Sequence, residues 1–260
     1  MGPGSLQHLS ERARHVLNRA VTVAGYTTYI DLVRPLIEGK RIISTGMTRE
    51  VDRVEAAIEA AGSHGPCAIV SSGDPGIYAM AGLALEICRR RQLRIRKPGG
   101  PEDPESLCIE VVPGIPALGA GAALLGAPLT HDFAAISLSD LLTPWETIEK
   151  RLDAAAGADF VIVLYNPKSR RRKDHLETAQ RIVLRHRKGE TPVGVVSRAM
   201  RDGQSVRILP LDELHLAEVD MQTVIFIGNS ATVRYGDFMI TPRGYAGKYD
   251  LAGNATGSSE

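Results

Sequence analysis

The chain has 260 residues, 43% hydrophobic and 23% charged, with a formal net charge of +1. That length exceeds one small core and suits two α/β domains, while the near-neutral balance argues against nucleic acid or a membrane surface as a partner. The three cysteines form no CxxC pair, so no metal site is expected, and with neither a signal peptide nor a long apolar run the expected location is the cytoplasm.

Met1-Gly2-Pro3-Gly4 opens the chain on a glycine turn, with no strand ahead of it. Ser10 reads as a helix N-cap with Glu11 in the first turn and Ala13, Val16, Leu17 and Ala20 on one face. Val21–Ala24 is a short strand closed by Gly25, Thr28–Ile37 carries a helical stripe, and Arg41–Ser44 reads as a further strand. Thr48 is placed to cap a helix reaching Ala61, and Cys67–Val70 has the length and apolarity of a buried strand. Ser71-Ser72-Gly73-Asp74-Pro75-Gly76-Ile77-Tyr78 follows it, and then a helical pattern through Ala81, Ala84, Ile87 and Cys88.

A polar loop over Lys97–Glu105 leads to an expected strand over Leu107–Val112. Two prolines and a glycine in Pro113–Ala117 mark a domain boundary, giving 1–113 and 114–246, with 247–260 expected as a disordered tail. A small-residue helix spans Leu118–Leu125. Beyond it, strands are expected at Ala134–Leu138, Phe160–Leu164, Val193–Val196, Ser205–Leu209 and Val224–Ile227, with helices at Pro144–Ala156 and Lys173–Arg187. Strands alternating with helices imply α/β domains with largely parallel sheets.

In such a sheet the Gly73–Tyr78 turn stands at a strand's carboxyl end, where ligands bind. Gly73 and Gly76 allow close backbone approach and Pro75 stiffens the loop. A carboxylate there repels phosphate, so Asp74 suits a ligand ammonium or hydroxyl; it serves equally well as a capping residue.

Gly2–Gly4, Gly73–Tyr78, Pro113–Ala117, Leu164-Tyr165-Asn166-Pro167 and Ile225–Asn229 all fall at strand ends, and their order resembles the class III, or tetrapyrrole, methyltransferase family. Gly126–Phe133, Ile136–Trp145 and Thr241–Tyr245 narrow the resemblance to its branch that methylates carbon 17 with ring contraction in corrin synthesis. The resemblance runs from Gly2 to about Tyr245. It implies two α/β domains with S-adenosylmethionine and substrate between them, a homodimer, and a strand ahead of Gly2. The implied substrate is a tetrapyrrole, precorrin-3B or cobalt-factor III. The implied cofactor-binding positions are Gly73, Asp74 and Ile77 in the loop, Pro116 and Ala117 at the methionine end, and Tyr165 and Asn166 beside the adenosine. Thr223 and Val224 match the adenine strand, and Ala199 is a looser match.

A tetrapyrrole bearing many carboxylates calls for arginines and lysines. Arg170-Arg171-Arg172-Lys173, Arg198 and Arg201 are candidates, and a solvated face explains the first run equally well. Methyl transfer needs mainly alignment, whereas ring contraction moves protons. His131 and Asp132 are therefore the expected acid–base pair, with Ser137, Ser139 and Asp140 behind them. A methylase acting at another corrin carbon or on a diphthamide precursor, and a cofactor-binding regulator without catalysis, remain as alternatives. A dehydrogenase does not fit, because Gly2-Pro3-Gly4 is not GxGxxG after a strand.

Overall fold

The structure is a computed structural model that describes residues 1–169 and 174–251. The Arg170–Lys173 run and most of the tail expected to be disordered therefore lie outside the described residues. The chain divides into two compact units: Met1–Ala120 with Ala199–Gly203, and Gly121–Arg198 with the chain from Gln204 onward. The division falls after Ala120 rather than at 113, because the Gly114 amide is bonded to Asp74 and so ties this segment to the first unit.

In the first unit, α1 (Glu11–Arg19) begins at Ser10, whose side chain accepts from the Ala13 amide at 3.2 Å. Strand β1 (Thr22–Tyr26) runs through Gly25, and α2 (Thr27–Val33) follows at once. The helix ends short of Ile37 because Pro35 cannot continue it, and a 3₁₀ turn over Arg34–Leu36 takes its place. β2 (Arg41–Thr45) leads to α3 (Glu50–His64). Thr48 does not cap that helix: it stands at φ 63°, and its amide donates to the Glu50 carboxylate at 3.2 Å. β3 (Cys67–Val70) and α4 (Met80–Arg90) complete the alternation.

The sheet order is β2-β1-β3, parallel throughout, with Thr22 opposite both Arg41 and Cys67. Leu17, Val23, Ile30, Val33, Ile37 and Val70 form its core. A separate pair joins β4 (Ile95–Arg96) to β5 (Leu107–Cys108). The strand expected to reach Val112 stops early. Pro98 closes β4, and after Ile109 donates to Arg96 the chain has no ladder partner among the described residues.

Helix α5 (Ala117–Leu125) is rich in small residues for a packing reason. A Cβ on Gly121 would stand 2.7 Å from the Phe226 ring, and one on Gly194 would strike Leu125. The second unit then holds β6 (Gly126–Ala127), β7 (Phe133–Ser137), α6 (Trp145–Gly157), β8 (Val161–Tyr165) and α7 (His175–Leu184). β9 (Pro192–Ser197), β10 (Ser205–Pro210) and β11 (Thr223–Ile227) follow, and β12 (Val233–Tyr235) and β13 (Phe238–Ile240) form a hairpin against β6.

The main sheet of this unit has the order β10-β9-β11-β8-β7. Only β7 and β8 are parallel, so the expectation of largely parallel sheets holds for the first unit and not here. β9 turns back directly into β10, and β11 inserts between β8 and β9 with reversed direction. Ile148, Leu152, Ile162, Leu164, Ile225 and Ile227 are among the residues that fill the core. Among the described residues, no helix is long and apolar enough to cross a membrane.

Candidate active site

In the first unit, four segments meet at the carboxyl end of β3. Gly2 and Gly73 exchange backbone hydrogen bonds of 3.1 and 2.8 Å. Gly73 holds φ at 67°, which glycine adopts without strain. A Cβ on it would lie 3.6 Å from Pro116 Cα and 3.8 Å from the Ala117 amide nitrogen, so the loop passes close over the start of α5. Asp74 accepts from the Gly76 amide at 2.8 Å through Oδ1 and from the Gly114 amide at 3.1 Å through Oδ2. It therefore staples the turn to the Pro113–Ala117 segment, a role that the sequence leaves open.

Arg201 enters from the returning stretch 199–203 and donates to the Pro3 carbonyl and, at 2.7 Å, to the Ser72 hydroxyl. Burial holds its guanidinium below the usual arginine range. Arg198 and Met200 take positive φ on either side of the buried Ala199. The first unit thus brings together Gly73, Asp74, Ile77, Pro116 and Ala117, and Ala199 belongs to the same unit through the stretch that carries Arg201. The sequence proposes Arg201 only for substrate carboxylates; here it braces the glycine loops.

The second unit gathers the remaining set at one edge of its main sheet. Ser137 lies opposite Tyr165, and Ile225 opposite Leu164, so Thr223 and Val224 stand beside the Tyr165-Asn166 end. Asn166, at φ 53°, donates its side-chain amide to the Ser137 hydroxyl at 2.9 Å. The Thr223 and Ser197 hydroxyls are 2.8 Å apart, and Asp220 accepts from Thr223 at 3.0 Å. At the same edge His175 Nε2 lies 3.2 Å from Asp140 Oδ2, and its ring packs at a tilt against Trp145 with centroids 4.1 Å apart. His175 is not among the sequence candidates; its position right after the Tyr165-Asn166 loop is the signal that could have found it.

His131 and Asp132 lie elsewhere. They precede β7, whereas Ser137 ends it, so the strand separates them from the Ser137–Asn166 edge by about 13 Å or more. They border a cleft of about 390 Å³ with Asp159, Phe160, Asn229 and Arg243. His131 Nδ1 accepts from the Asp132 amide at 2.8 Å. Asp159 accepts from the Ser230 amide and hydroxyl and pairs with the buried Arg187 at 3.1 Å. Burial acts to raise the Asp159 carboxyl, but the Ser230 hydrogen bonds and the Arg187 charge hold it below the usual range.

Residues 1–215 match the family model of Tetrapyrrole (Corrin/Porphyrin) Methylases. The chain is 47% identical over 250 residues to the cobalt-factor III methyltransferase of Priestia megaterium, spanning 96% of this chain but 45% of that longer protein. It is 44% identical to the probable cobalt-factor III C(17)-methyltransferase of Salmonella typhimurium, covering 94% of this chain and 97% of that one. Among solved structures, the methyltransferase CobJ superposes with a TM-score of 0.82 at 34% identity, covering 93% of this chain and 96% of that one.

Proposed function

The chain belongs to the tetrapyrrole methylase family, and on that footing we propose that it methylates carbon 17 of a corrin-pathway tetrapyrrole with ring contraction, as part of cobalamin synthesis. The observation that carries this reading is the full-length likeness to proteins whose names state C(17) methylation, joined to the loop cluster at the end of β3. The substrate is precorrin-3B or its cobalt-bearing counterpart, cobalt-factor III. The names of the Priestia and Salmonella relatives favour the cobalt-bearing one.

S-adenosylmethionine is the methyl donor that the family resemblance implies, and the residues present fit it. The Ala117 amide opens α5, where the unsatisfied N–H groups of a helix start favour a carboxylate such as that of the methionine moiety. Gly73 leaves open the space that a side chain would take, so its backbone can serve a ligand directly. In the second unit, the start of β11 at Thr223 and Val224 and the Tyr165-Asn166 turn stand side by side at a strand end, a place where backbone groups can meet an adenine edge. When bound, the cofactor supplies an activated methyl group; the chain's own part is to align the acceptor carbon and exclude water.

His131 and Asp132 are the expected acid–base pair, and their place at the opposite end of β7 supports a structural role instead. Both are exposed. His131→Ala and Asp132→Asn should each turn over at close to the parental rate, and their stability should change by about 0.5 kcal/mol or less, as expected for surface substitutions. A large loss of ring contraction in either, with cofactor affinity retained, would return the pair to the mechanism.

A cytoplasmic homodimer accompanies this reading. The described residues expose Tyr235 at 75%, Phe238 at 56%, Tyr245 at 61% and Leu251 at 69%, an apolar series suited to a second copy. Light scattering would give the mass in solution.

The function is tested by incubating the protein with methyl-labelled S-adenosylmethionine and either trimethylated precursor, metal-free or cobalt-bearing. Label should enter the tetrapyrrole, and the preferred acceptor identifies the substrate. Absence of label in both overturns the reading.

A further inference from the structure

We propose that His175 takes up the proton released when the tetrapyrrole is methylated, with Asp140 and Trp145 as its positioning residues; this rests on the function proposed above. Three features independent of one another converge at this point. The first is polarity of placement. Asp140 follows the carboxyl end of β7 and His175 follows that of β8, so both stand at the Ser137–Asn166 edge rather than at the His131 edge.

The second is preorganisation. His175 Nε2 meets Asp140 Oδ2 at 3.2 Å, a contact to a carboxylate, which only accepts, so Nε2 is the nitrogen that donates and Nδ1 is the one left for an incoming proton. Trp145, itself packed against the core of the unit, lies against the imidazole with ring centroids 4.1 Å apart at a tilt of 56°, which limits how the ring can turn. A histidine held by a carboxylate on one nitrogen is the arrangement of an oriented base. The His175 side chain keeps 20% exposure, enough for a ligand to reach it.

The third is the adjoining loop. Leu141 is 66% exposed and Leu142 99% exposed, directly after Asp140. Leucines held in water next to a charged residue offer apolar surface to a flat, largely apolar ring system. The acid–base pair and the apolar loop thus lie side by side, as a carboxylate-fringed macrocycle requires.

The chemistry balances with these groups alone. A macrocycle carbon forms the new carbon–carbon bond with an electron pair of the conjugated system. The carbon–sulfur bond of the donor breaks, and its pair stays on sulfur, which becomes neutral. The positive charge passes to the macrocycle, which discharges it by losing one proton. His175 accepts that proton at the ring nitrogen that does not face Asp140, and the Asp140 carboxylate stabilises the imidazolium across the Nε2 hydrogen bond.

The test uses the full chain and His175→Ala, His175→Gln and Asp140→Asn variants, with labelled methyl transfer, tetrapyrrole binding by absorption titration and cofactor binding by calorimetry. Both His175 variants should lose about 10²–10⁴-fold in kcat, the range for general acid–base groups, while binding both ligands at near-parental affinity. Asp140→Asn should lose less. Added imidazole should restore part of the His175→Ala rate, which it could not do for a structural defect. Parental kcat in His175→Gln, or a fall confined to tetrapyrrole affinity, overturns the assignment. An unmodified protein that methylates neither tetrapyrrole instead removes the function on which it rests.

Discussion

Arg187→Met is expected to destabilise the second unit by about 1–3 kcal/mol or more, the cost of leaving buried carbonyl acceptors without their donor. Arg187 keeps only 3% of its side chain exposed, and it distributes its donors widely. It serves the Ala156 carbonyl at 2.7 Å, the Phe160 and His186 carbonyls at 3.2 Å each and the Gly228 carbonyl at 3.4 Å, besides the Asp159 carboxylate. These acceptors come from the ends of α6 and α7, the start of β8 and the end of β11. Methionine fills much of the volume and leaves the carbonyls without a donor, each at a cost of about 1–3 kcal/mol where water cannot replace it. Urea unfolding checks this.

Arg185→Ala on the same turn is the control. Its pairing with Asp153 is exposed on both sides, at 60% and 49%, and should contribute about 0–1 kcal/mol. Equal midpoints for Arg187→Met and the parent would refute the brace. The pairing also has a pH signature. The Asp159 carboxyl is depressed in the folded chain, so its contribution is present above the ordinary aspartate range near about 4 and is lost as pH falls below it.

Gly114→Ala should weaken S-adenosylmethionine binding by about 10–100-fold, the equivalent of about 1.4–2.8 kcal/mol of strain in a closely packed site. A Cβ at this position would run into the Gly73 carbonyl oxygen and stand 3.0 Å from the Gly2 amide nitrogen. Both obstacles are backbone, so no side-chain rotation relieves them. Either the loop withdraws, breaking the bond from the Gly114 amide to Asp74, or the Gly2–Gly73 pairing opens. Asp74→Ala removes the same staple without the clash and should fall in the same direction by less. Calorimetry measures both. Parental affinity in Gly114→Ala would separate this loop cluster from the cofactor.

What could be read from the sequence was what depends on neighbours along the chain. The strand–turn–helix through Ser71–Tyr78 is local: an apolar run, glycines, then helical spacing. The Ser10 cap is local too. Strand direction in the second sheet was not legible, because β11 enters between β8 and β9 through pairings with residues about 30 to 60 positions earlier. His131 and Asp132 stand adjacent in sequence, but the polarity of β7 carries them to the far edge. The contact of His175 with Asp140 is not legible either, because the two are 35 residues apart in the chain and meet only in the fold. The place of Asp74 at a strand end is legible in the sequence, but its bond to the Gly114 amide, 40 positions on, is not.

The most direct test of the account is where the methyl group goes. The protein should be supplied with S-adenosylmethionine carrying a ¹³C methyl group and with the preferred trimethylated tetrapyrrole, and the product examined by carbon NMR. The account predicts a single enriched methyl resonance bonded to carbon 17 of a ring-contracted macrocycle. Label on a different ring carbon, or a labelled product whose macrocycle is not contracted, would contradict it.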